Sequence, residues 1–100
     1  MRIEVLYFEG CPNYVPAVDR LKMVLWQEGF TTDVCEIEVR DESAAKTLKF
    51  FGSPTIRVNG LDIEADSRNV TETGLACRRY SGGLPSEEMI RTALKKAREQ

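Results

Sequence analysis

Residues 2 to 8, "RIEVLYF", put Ile3, Val5 and Tyr7 on one side of an alternating run and Glu4 and Leu6 on the other. β-Branched and aromatic types dominate it, which predicts a strand with one well-buried face ending at Gly10. From Pro12 to Glu28 the period changes. Tyr14, Val18, Leu21 and Leu25 follow one another at helical spacing, and Gly29 supplies the stop. A second strand is predicted over 32 to 39, where Val34, Ile37 and Val39 are β-branched. A second helix is predicted over 42 to 51, begun by Asp41 or Ser43 and closed by Gly52.

After Pro54, "TIRVNGLDIE" holds two short strand-like runs around Asn59-Gly60, a pair suited to the positive φ angles of a tight hairpin turn. Residues 65 to 74 are polar and lack either period, which reads as a loop, and "LACRRY" at 75 to 80 reads as a further strand. The last helix starts near Ser86. Glu87 and Glu88 lie at its positive end, Lys95, Lys96 and Arg98 at its negative end, and Ile90, Ala93, Leu94 and Ala97 form its buried stripe. The predicted order is β-α-β-α-β-β-α. It predicts an α/β fold with a mixed four-stranded sheet and helices on both faces, the first β-α-β unit parallel and the hairpin antiparallel.

One hundred residues, 42% of them hydrophobic, suffice for a single core, so residues 1 to 100 are read as one domain. The net charge of −2 comes from 14 basic and 16 acidic side chains mixed along the chain, which leaves no basic footprint for nucleic acid or an anionic bilayer. Neither nucleic acid nor a membrane is expected as a partner. No apolar run approaches the roughly 20 residues that span a bilayer, and acids interrupt the first ten residues where a signal peptide would be apolar. A cytoplasmic protein is expected.

Three cysteines, Cys11, Cys35 and Cys77, are an odd number at wide spacing and do not form the frame of a secreted miniprotein. The chain has no histidine, so the usual general base and the commonest metal ligand are missing. No cofactor and no metal are expected: closely spaced cysteine pairs for zinc are absent, and one chain cannot supply four cysteines to an iron–sulfur cluster. Cys11 stands where the first strand ends and the first helix begins. Pro12 then suits the first helical turn, and the free N–H groups of that turn would favour a thiolate, with Glu9 opposing them. Cys35, sharing a strand face with Ile37 and Val39, reads as a core residue. Cys77, beside Arg78 and Arg79, reads as a possible second thiol. Trp26 and Met23 lie off the main stripe of the first helix and mark either a partner surface or the edge of a layer.

"FEGCPNY" after a strand and "FGSPTIRVNG" after the second helix resemble the two halves of a thioredoxin-family active site. The resemblance spans nearly the whole chain, because the order of elements is similar too. It implies a thioredoxin-like fold with Cys11 as the reactive cysteine, and a Ser53–Pro54 bond that is cis and sets the backbone of residue 53 beside the Cys11 sulfur. The same resemblance implies that Cys11 and Pro54 form the catalytic pair, and that Pro12, Asn13, Tyr14, Ser53 and Thr55 bind an extended substrate. Position 14, where the family's C-x-x-C motif has its second cysteine, is Tyr14, and Gly10 replaces the usual aromatic residue.

A dithiol mechanism within this motif is therefore excluded. The expected activity is that of a monothiol oxidoreductase, in which Cys11 attacks a disulfide or captures glutathione and the second thiol comes from a small molecule or a partner protein, so that a protein disulfide or a low-molecular-weight thiol is the expected partner. Two alternatives stand beside it. One is soft-metal or organomercury binding by the thiolates of Cys11 and Cys77, by analogy with the related core of organomercurial lyases. The other is a non-catalytic adaptor that keeps a peptide groove beside Pro54.

Overall fold

The computed structural model describes residues 1 to 50, 52 to 64 and 84 to 99. The polar run 65 to 74, the strand expected at 75 to 80 and Cys77 within it lie outside the described residues. The elements run β1 (Ile3–Tyr7), α1 (Tyr14–Gln27), β2 (Val34–Glu38), α2 (Glu42–Leu48), β3 (Thr55–Val58), β4 (Leu61–Asp62) and α3 (Glu87–Arg98). They form an α/β fold with one mixed four-stranded sheet of order β2-β1-β3-β4. β1 pairs in parallel with β2, Ile3 opposite Val34, and antiparallel with β3, Ile3 opposite Val58.

Because side chains alternate across a strand, Ile3 and Val5 face one side of the sheet and Leu6 the other. The first side is covered by α1 and α3. There Ile3, Val5, Ile56 and Val58 pack with Val18, Leu21, Val24, Leu25, Ile90 and Leu94. The second side is covered by α2, whose Ala45 joins Leu6, Val39 and Phe50 in a smaller cluster. β1 thus buries residues on both faces, where its alternation had predicted one, because α1 and α3 cover Ile3 and Val5 on one side and α2 covers Leu6 on the other.

α3 matches its expected start: the Ser86 hydroxyl accepts the Met89 N–H at 3.0 Å, capping the first turn. α2 begins as expected at Asp41, whose carboxylate accepts the Ala44 N–H at 2.7 Å. It ends three residues short of the predicted limit. Lys49 turns left-handed at φ 55°, and the Arg57 guanidinium, reaching across from β3, donates to the carbonyls of Leu48 and Lys49 at 2.8 and 3.0 Å. Those are carbonyls a finished helix leaves without partners. The hairpin follows its sequence signal, with Asn59 at φ 53° and Gly60 at φ 83° joining Val58 to Leu61.

Cys35 corrects an expectation. It shares a face with Ile37, as alternation requires, yet it is exposed rather than buried. β2 is an edge strand, and the seven-residue α2 covers the Leu6–Ile37 end of that face, leaving the Glu4–Cys35 end open. No helix among the described residues is long and apolar enough to cross a membrane.

Candidate functional site

The first strand delivers the chain into a tight turn in which the Cys11 N–H bonds the Phe8 carbonyl at 3.3 Å. Gly10 makes the turn at φ 89°, a conformation that a side chain there would oppose. That backbone demand explains why no aromatic residue precedes Cys11. The turn continues through Pro12, and the Tyr14 N–H bonds the Cys11 carbonyl at 3.3 Å.

α1 starts two residues later than the sequence implied. Tyr14 is its first residue, Asn13 its cap without a side-chain capping bond, and Pro12 an exposed residue ahead of the cap rather than a member of the first turn. The Cys11 sulfur is therefore not held on the free N–H groups of the helix. Its thiol donates to the Ser53 carbonyl, at an S···O distance of 3.6 Å. The neutral S–H makes that bond and a thiolate cannot, since both atoms would then be acceptors. Cys11 is 7% exposed.

Ser53 holds this corner twice. Besides its carbonyl on the Cys11 thiol, its hydroxyl accepts the Phe8 N–H at 3.4 Å. The Ser53–Pro54 peptide bond is cis, as the resemblance implied. Ser53, Pro54 and Thr55 are all fully buried, and the Thr55 hydroxyl donates back to the Gly52 carbonyl. The segment expected to bind substrate is thus enclosed, backbone and side chains alike.

Tyr14, standing where a second cysteine would close the motif, is occupied. Its ring stacks on Tyr7 with centroids 3.8 Å apart and planes 3° off parallel, and its hydroxyl donates to the Glu36 carboxylate on β2. Burial first, then the bond to Glu36 and its charge, raise the Tyr14 phenol above its ordinary range. Tyr7 and Glu36 were not singled out from the sequence. Pairing of Val5 with Glu36 places Glu36 on the same sheet face as Val5 and Tyr7, and only that register brings it under Tyr14.

An open cleft of ≈ 520 Å³, lined by Phe8, Glu9, Glu38, Val39 and Arg40, lies at the carboxyl ends of the parallel strands β1 and β2. Open α/β sheets commonly bind ligands at that end. Among the described residues no group of three or more cysteine, aspartate or glutamate side chains converges to hold a metal, and Cys11 and Cys35 are free thiols. The structure thus brings together Cys11, Ser53 and Pro54 from positions 42 and more apart in the chain, takes Tyr14 away to Glu36, and leaves Pro12 in solvent. Comparison with protein-family models, with curated proteins and with solved structures finds no match to this chain.

Proposed function

We propose that the chain is a thioredoxin-like thiol protein that works in the cytoplasm through Cys11 alone. The observation that carries the reading is the Cys11 thiol set against the Ser53 carbonyl at 3.6 Å, at the carboxyl end of the central strand. Opening of the turn that carries Cys11 would free the Ser53 carbonyl as a main-chain anchor for an extended substrate beside the reacting sulfur.

In the proposed reaction the Cys11 proton leaves to solvent and the sulfur attacks one sulfur of a disulfide R–S–S–R′. The Cys11–S–S–R bond forms as the S–S bond of the substrate breaks, and R′ departs as a thiolate that takes up a proton. With Tyr14 in the second-cysteine position and its side chain engaged with Tyr7 and Glu36, the mixed disulfide is resolved by an external thiol such as glutathione. That thiolate attacks the R sulfur and returns Cys11 to its reduced form, so that one disulfide is exchanged for another without net oxidation of the protein.

The test is incubation with oxidised glutathione followed by intact mass and peptide mapping, in wild type, Cys11→Ser and Cys77→Ser. The expected result is a glutathione adduct mapped to Cys11, apart from any on the exposed Cys35, that is removed by excess reduced glutathione, lost in Cys11→Ser and kept in Cys77→Ser. An unmodified Cys11 in the folded protein would refute thiol exchange and leave the adaptor reading. A Cys11–Cys77 disulfide in place of the adduct would refute the single-thiol mechanism and favour the two-thiol alternative.

A further inference from the structure

We infer that the outer face of α1 is a self-complementary surface that joins two copies of this chain, α1 against α1 in antiparallel orientation. The stripe consists of Val15, Asp19, Lys22 and Trp26. At 3.6 residues per turn these positions, spaced four, three and four apart, fall within about 60° of one another and extend about 16 Å along the helix. They point away from the buried stripe of Ala17, Val18, Leu21, Val24 and Leu25.

Exposure on this stripe is uncommon for its residue types. Val15 is 59% exposed and Trp26, the only tryptophan of the chain, is 82% exposed; Met23 flanks them at 41%. A lone exposed apolar residue needs no explanation, but three on one helix face form a patch. Between the apolar ends stand Asp19 and Lys22, exposed, with side chains that make no ion pair or hydrogen bond among the described residues.

The order apolar, acid, base, apolar selects the occupant. A two-fold axis between positions 19 and 22, perpendicular to the helix, sets each residue opposite the one whose number sums with it to 41. Val15 then meets Trp26 of the second copy, Asp19 meets Lys22, Lys22 meets Asp19, and Trp26 meets Val15. The pattern satisfies the isologous condition that a two-fold interface imposes, that each contact occur twice. A near-antiparallel crossing at about 20° keeps both ends of the stripe in contact. A parallel arrangement would set Asp19 against Asp19 and Lys22 against Lys22. Three helical turns bury less than the roughly 800 Å² per partner of a standard interface, so the association is weak and reversible.

The test is sedimentation equilibrium over a concentration series, with Trp26 fluorescence as a second reading, in wild type, Asp19→Lys, Lys22→Asp and an equimolar mixture of the two variants. Wild type is expected to dimerise with a concentration-dependent blue shift of its single tryptophan. Each variant alone presents like charges at both symmetric contacts, and its association is expected to weaken by roughly tenfold or more. In the mixture, lysines at 19 and 22 of one chain face aspartates at 22 and 19 of the other, and association is expected to return. Wild type that stays monomeric up to about 1 mM with unshifted emission overturns the proposal. So do single variants that associate as wild type does, or a mixture that fails to recover.

Discussion

Ser53→Ala separates the two bonds that Ser53 makes. The substitution removes the hydroxyl that accepts the Phe8 N–H at 3.4 Å and leaves the carbonyl that accepts the Cys11 thiol. Phe8 is half-buried, so its amide recovers only part of its hydration. Loss of an acceptor at such a site costs about 1 kcal/mol, the lower end of the usual range because 3.4 Å is a long bond. If that bond pins the turn carrying Cys11, the turn opens about fivefold more often in the variant. Cys11 is buried, so alkylation follows opening, and its labelling rate at fixed pH and reagent is expected to rise by roughly the same factor. The melting temperature is expected to fall by roughly 4 to 8 °C. The assay is iodoacetamide labelling resolved by peptide mass, beside thermal unfolding. A lowered melting point with unchanged Cys11 labelling would refute the reasoning, since the hydroxyl would then support the fold without holding the turn.

Three further outcomes are expected. Leu94→Ala, at a fully buried position of the larger core cluster, should lower the unfolding free energy by about 2 to 5 kcal/mol, read from the urea midpoint. Gly60→Ala should cost about 1 to 2 kcal/mol, because the hairpin holds that residue at φ 83° and an added Cβ would meet the Arg2 guanidinium at 3.2 Å; an unchanged midpoint would show that the turn relaxes freely. Because the folded Tyr14 phenol holds its proton above the unfolded value of about 10, wild-type stability is full below that pH and declines as pH rises through it. Tyr14→Phe lacks the titrating group, so unfolding curves from pH 8 to 11 should show the variant losing less stability than wild type.

Local signals carried most of the fold. The Asn59-Gly60 turn and the Ser86 cap act within four residues, and both stand where the sequence put them. The end of α2 was illegible because its terminator is Arg57, which reaches the helix only after β3 has docked. Cys35 was misjudged for a related reason: alternation fixes which face a residue takes, while burial depends on how far the covering helix extends. Of the site, Cys11 and residue 53 were legible from the two motifs and their separation. The Tyr7–Tyr14–Glu36 cluster was not, because it needs the parallel register of β1 and β2 and a helix start displaced to Tyr14.

The hairpin tip is bonded to both backbone groups of the residue just ahead of the first strand: the Arg2 N–H donates to the Asn59 side-chain carbonyl at 2.8 Å, and the Asn59 N–H donates to the Arg2 carbonyl at 2.7 Å. In terms of hydrogen exchange, these two amides belong to a single opening event, because separating Arg2 from Asn59 breaks both bonds at once. Their protection factors should therefore rise and fall together, coupling the beginning of the sheet to the tip of a turn 57 residues away.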